Sequence, residues 1–259
     1  MILQDITQII EAVAPRELQE SYDNAGLQCG DPRLEVSRVL TCLDVTEQVI
    51  EEAHRRQCQL VVAHHPLLFR GVKCIDPTRD YISRTLLAAI RYGIGIYAAH
   101  TNLDRARGGI NDTLARILDL HDVTPLSDCG VYGVLPQPMT ARQLLTHVSS
   151  RLGGIPLRYN AEAVADDSRQ LRTLGLCGGA GGEFIAEAES LSLDAFLTGE
   201  IRYHDYFGHP SLLLIEGGHF ETEQHAPILL ADIILQAANG SVECMVAECH
   251  QSPCGWWKG

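Results

Sequence analysis

The sequence lacks a hydrophobic run of membrane length. Apolar stretches such as 228–231 and 233–235 are broken within a few residues, far short of the roughly 20 that a bilayer span needs. Its first residues, Met1 to Ile6, lack the basic flank and apolar centre of a signal peptide. Positive charge is scarce too. With 20 Lys+Arg against 33 Asp+Glu, the net charge is −13, a field that repels phosphate backbones and anionic lipid surfaces. These absences disfavour nucleic acid and membrane as partners and lead us to expect a cytoplasmic protein. Paired cysteine motifs are missing as well. The nine cysteines are an odd number in a 259-residue chain, too long for a disulfide scaffold, so most should be reduced thiols. Cys249, His250 and Cys254 have CHxxxC spacing without a second matching pair, which is a weak case for zinc.

What is present is the composition of a globular protein, 46% hydrophobic and 20% charged. The length suffices for one large domain or two small ones. Helical and strand periods alternate. Ile6, Ile9, Ile10 and Val13 recur at helical spacing and stop at Pro15. Strand-like 36–44, helical 46–56, strand-like 59–63, helical 81–91, strand-like 95–99 and helical 111–120 follow. That succession predicts an α/β fold with a mainly parallel sheet.

The second half repeats the first. Residues 38–43, a helix ending in Glu52-Ala53, and 60–63 overlay 172–177, a helix containing Glu187-Ala188, and 195–198, with one residue of slack. Residues 98–104, AAHTNLD, then match 217–223, GGHFETE. Each half thus delivers a strand followed by HxxxD or HxxxE, the mark of an internal duplication. We therefore expect two similar α/β units, 1–128 and 129–259, with the proline-flanked stretch 130–138 as the connection.

In open α/β sheets, ligands bind beyond the carboxyl ends of the strands. The polar residues gather there: His64-His65-Pro66, His100 to Asp104, Glu200 with His204, and His219 to Glu223. Imidazole with carboxylate suits zinc, manganese, iron, cobalt or nickel. Adjacent strand residues point to opposite faces, so His64 and His65 fit two ions better than one. Two divalent ions, a bridging hydroxide and the acids Asp104 and Glu223 would leave a site of roughly +1. Each motif alone also fits a solvated loop or a helix start with a dipole-favoured acid. The Gly-rich run 177–182 lacks the Lys-Ser/Thr of a phosphate-binding P-loop and reads as a tight turn with close backbone approach. His204, His209, His225 and His250 read as surface or supporting residues, and Trp256 with Trp257 as a packing anchor in the tail.

Seven motifs in order, YDNAGLQCG at 22–30, AHHPLLF at 63–69, HTNLD at 100–104, GGIND at 108–112, CGGAGG at 177–182, TGEIRYHD at 198–205 and GHFETE at 218–223, resemble the Nif-three-like dinuclear metal centre family, whose members are often called GTP cyclohydrolase I type 2 homologues. Tyr22 stands where the family usually has Trp. The resemblance implies two similar intertwined three-layer α/β domains. It implies His64 and His219 on one metal, His65 and Asp104 on the other, and Glu223 bridging. His100 and Glu200 then become candidates for supporting ligands or moving protons. A homohexameric toroid built from dimers is implied as well. The function to expect is a hydrolase dependent on two divalent metal ions, acting on a small molecule or nucleotide. The alternative is a metal-binding hexameric scaffold without catalysis.

Overall fold

The computed structural model describes residues 1–166 and 168–255; Trp256 and Trp257 lie outside the described residues. The chain forms two compact units, one of Met1–Gly109 with Ala226–Gly259 and one of Ile110–His225. They differ in extent from the two halves of the sequence: 110–128 belongs with the second unit, and 226 onward returns to the first.

The first unit opens with α1 (Leu3–Val13), followed by β1 (Gly26–Cys29), β2 (Arg38–Cys42), α2 (Glu47–Arg55), β3 (Leu60–Ala63), α3 (Tyr81–Tyr92), β4 (Gly95–Ala98) and the single turn α4 (Thr101–Arg105). The second contains α5 (Ile110–Ile117), β5 (His121–Leu126), β6 (Gly130–Met139), α6 (Ala141–Arg151), β7 (Arg158–Tyr159), β8 (Leu171–Cys177), α7 (Ile185–Ser190), β9 (Ala195–Thr198), β10 (Leu213–Glu216) and the single turn α8 (His219–Glu223). The chain then completes the first unit with α9 (Ala226–Ala238) and β11 (Glu243–Val246). No helix among the described residues is long and apolar enough to cross a membrane.

Local chemistry explains the element boundaries. Thr46 caps α2 by accepting from the Val49 N–H, and Asp80 caps α3 by accepting from the Ser83 N–H at 2.7 Å. α3 ends at Gly93, whose φ of +67° suits a glycine at a helix stop. Leu3, Ile6 and Ile10 form the buried face of α1, while Val13 at its end is exposed. All four residues of β3 and of β9 are buried, as expected for parallel strands covered on both faces.

The first sheet has the order β1-β4-β3-β2-β11, parallel except for the edge strand β1. The second, β5-β6-β8-β9-β10-β7, is parallel only through β8, β9 and β10. Its departure from a mainly parallel sheet comes from the edge strand β7, antiparallel to β10, and from 130–138. That stretch is strand β6, not a connection, and makes antiparallel pairs with β5 and β8. Pro136 and Pro138 are tolerated because the β6–β8 register shifts between Val134 and Met139, where no ladder donor is required.

The repeat is visible in strand register. Val39 pairs with Leu60 and Cys42 with Ala63; Leu174 pairs with Ala195 and Cys177 with Thr198. A constant offset of 135 relates the two sets, so the slack in the sequence overlay disappears. Both sheets therefore present the ends of three parallel strands, β2-β3-β4 and β8-β9-β10, with the same stagger.

Candidate metal centre

In the first unit, His64 and His65 follow β3 and His100 follows β4. Their backbone is fixed by the sheet, since the His64 N–H donates to the Cys42 carbonyl and the His65 N–H to the Leu43 carbonyl. The His64 side chain is fully buried, and its Nδ1 lies 2.8 Å from the Ala99 carbonyl oxygen. A carbonyl can only accept, so Nδ1 carries the proton and Nε2 is the lone-pair nitrogen. That Nε2 lies 3.4 Å from Asp104 Oδ1. His65 Nδ1 lies 2.8 Å from Asp44 Oδ1, and His100 Nδ1 lies 2.7 Å from Asp23 Oδ1. Nδ1–H donation to these carboxylates again leaves Nε2 as the lone-pair nitrogen. His64, His65 and His100 each offer a ring nitrogen, and the three lie within 4.8 Å of one another.

Asp23 is held firmly. Its side chain is fully buried and also accepts from the Thr101 N–H at 3.1 Å and from the Thr101 hydroxyl. Burial pushes its carboxyl up, but the hydrogen bonds from His100 and Thr101 and the proximity of His100 overcome that and hold it down at about 2. At neutral pH it is a fixed anion behind His100.

In the second unit, His219 opens α8 and Glu223 closes it. The i,i+4 spacing puts both on one face, and His219 Nε2 lies 3.2 Å from Glu223 Oε2. His219 Nδ1 donates to Glu200 Oε1 at 2.7 Å, so its tautomer is set as in the first unit. Glu223 is buried. The turn after β8 approaches it closely: a Cβ on Gly179, where φ is +62°, would lie 2.3 Å from Glu223 Oε1 and 3.3 Å from His219 Nε2. The Gly-rich run is thus a tight turn beside a carboxylate, as its composition suggested. Thr198 secures it by accepting from the Gly181 N–H at 2.8 Å and donating to the Gly179 carbonyl at 3.1 Å.

The structure therefore gathers His64, His65 and Asp104, with His100, in the first unit, and His219 with Glu223 and Glu200 in the second. Asp44 and Asp23, which accept from His65 and His100, belong to none of the histidine motifs. Asp23 stood inside the quoted YDNAG motif and Asp44 at the carboxyl end of the predicted strand, so position was the signal available. His209 pairs with Glu189 at 2.7 Å, and His225 is buried with Nε2 donating to the Ile110 carbonyl at 3.0 Å. Cys249 packs on the first unit's core, and burial beside Glu52 pushes its thiol up to about 12, which opposes the thiolate a zinc site requires.

The family model of DUF34/NIF3, NGG1p interacting factor 3, matches residues 1–253. The chain belongs to this family. A relative from Clostridium perfringens, named "GTP cyclohydrolase 1 type 2 homolog", is 34% identical over an alignment of 264 residues that covers 98% of each chain. One of the same name from Clostridium acetobutylicum is 32% identical, covering 88% of each. The crystal structure of a Bacillus cereus protein related to NIF3 superimposes with a TM-score of 0.92 over 99% of both chains at 21% identity, a likeness of fold.

Donor chemistry in each unit fits divalent metal ions of the first transition row. Nitrogen and carboxylate oxygen are their ligands, and a carboxylate or carbonyl behind each imidazole is the support that such ligands use.

Proposed function

We propose that the chain is a hydrolase dependent on two divalent metal ions. His64 and His219 would hold one ion, His65 and Asp104 the other, and Glu223 would bridge them; this division follows the family resemblance. The observation that supports metal binding most is the shared tautomer. His64, His65, His100 and His219 each engage Nδ1 with an acceptor, at 2.7 or 2.8 Å, which presents Nε2 as a ligand or base. Divalent ions held there would polarise a substrate oxygen and lower the pKa of water.

The chain's own groups supply orientation and proton handling. Asp44 and Glu200 fix His65 and His219, so each ring keeps its proton on Nδ1. Gly179 lets the turn pass close enough to keep Glu223 in place. His100, backed by the anionic Asp23, is placed to accept or return a proton at Nε2. The substrate class we assign is a nucleotide or related small molecule with a hydrolysable C–N bond, in keeping with the cyclohydrolase name of the relatives.

Elemental analysis after mild purification should give two ions per chain, reduced in the His64→Ala, His65→Ala double variant. Wild type reloaded with manganese, iron, zinc or nickel should turn over a member of a panel of nucleotides and cyclic amidines, and Glu223→Ala should abolish that turnover. Metal-free wild type with intact fold would refute the metal reading. Two bound ions without turnover of any panel member would instead favour the scaffold.

A further inference from the structure

The second unit has a cavity of about 500 Å³, lined chiefly by Arg158, Tyr159, Glu162, Tyr203, Tyr206 and Phe207, none of them a proposed metal ligand. One wall is built. Glu216, at the end of β10, accepts from Arg158 Nη1 at 2.9 and 3.1 Å and from the Tyr206 hydroxyl. Arg158 is thereby placed over the Tyr206 ring, 5.4 Å from its centroid, a cation–π distance. Burial and the bond to Glu216 raise the Tyr206 hydroxyl's pKa, so it stays a neutral donor.

The other wall is exposed. Tyr203 and Phe207 flank a single helical turn and meet edge to face at 5.6 Å between centroids. They are 66% and 64% exposed, so their rings contribute little to the core. The floor has its own bonds already: Asn160 donates to the His209 and Leu212 carbonyls and accepts from the Leu214 N–H. Selection in the cavity must therefore come from ring faces. Charge decides what kind of ring. Arg158 is paired with Glu216, and Arg202 on the neighbouring turn is paired with Asp205 at 2.8 Å. Glu162 adds a negative charge, so among the described lining residues no surplus cation awaits a phosphate.

We propose that this cavity binds an uncharged planar conjugated heterocycle of purine size, stacked on the face of one of the rings Tyr203 and Phe207 with its edge against the other. The volume lies within the range of small-molecule sites, which are apolar and aromatic with a few polar groups. Stacking on an aromatic face tolerates any conjugated ring, whereas the paired arginines give a phosphate tail no attraction. The occupant is thus a free base, a nucleoside or a similar unphosphorylated heterocycle. This inference does not rest on the metal reading and can be tested on protein with or without metal.

Calorimetric titration of the full chain with adenosine, guanosine and riboflavin should give saturable binding to at least one, and ATP should bind no tighter than adenosine. Tyr203→Ala and Phe207→Ala should each weaken that binding by roughly 5- to 100-fold, while Phe207→Tyr retains it. Sedimentation of each variant should match wild type. The proposal is overturned by absence of saturable binding to all three probes, by binding that both alanine variants leave unchanged, or by tighter binding of ATP than of adenosine. A fall in oligomer size in either alanine variant would assign the patch to contact between copies instead, and would also overturn it.

Discussion

At the scale of single residues, the glycine turn after β8 decides how a buried carboxylate is placed. Gly178 and Gly179 are neighbours with different demands. A Cβ on Gly178 would lie 3.3 Å from Glu223 Cγ, a tight approach that a shift of a few tenths of an ångström relieves, whereas one on Gly179 would overlap Glu223 at a φ of +62°. Gly179→Ala should therefore cost about 1 to 3 kcal/mol in chemical denaturation and reduce bound metal. Gly178→Ala should cost clearly less. Equal effects of the two would show that the turn yields and does not constrain Glu223. The same scale explains why the partnership of Asp23 and Asp44 with the rings is not legible in the sequence while His64, His65 and His219 are. Histidines next to a strand end are visible as a local pattern. A carboxylate behind a ring is visible only once residues 77 and 21 positions apart in the chain are side by side.

At the scale of elements, α2 fastens the returning C-terminal segment. Glu52 is buried on α2 and accepts from the Glu248 N–H at 2.9 Å, the Cys249 N–H at 3.1 Å and Arg56 Nη1 at 2.7 Å. Burial pushes its carboxyl up, but these donors overcome it and bring it to about 2. A carboxyl lowered on folding stabilises the fold above its ordinary pKa of 4.5, and that contribution fades as pH falls from there toward 2. Glu52→Gln should thus lower stability at pH 7 by roughly 2 to 3 kcal/mol. The gap to wild type should narrow below pH 4.5 in urea melts. A gap that stays constant with pH would show that the strap depends on shape and not on charge. The strand order was harder to read than the strands. Prolines 136 and 138 read as a linker because their local chemistry opposes a ladder, yet β6 runs through them at a register shift.

At the scale of the whole molecule, the family resemblance predicts six copies. Sedimentation equilibrium at micromolar concentration should give six times 28.4 kDa, about 170 kDa, and a monomer or dimer would refute that assembly. The net charge of −13 should keep the protein off nucleic acid even at low salt, where phosphate contacts are strongest.

The sequence by itself determined the alternation of helices and strands, the repeat, and the placing of histidines and acids after strand ends. Each of these depends on side-chain periodicity or spacing within a few residues. Tertiary structure alone decided which nitrogen of each ring is protonated, because that depends on acceptors such as Asp23, Asp44, Ala99 and Glu200 brought from elsewhere in the chain. It also decided that 226–259 belongs with the first unit, where β11 pairs with β2. A strand's apolar pattern says that it will be buried, but its neighbour is chosen by the packing of the completed sheet.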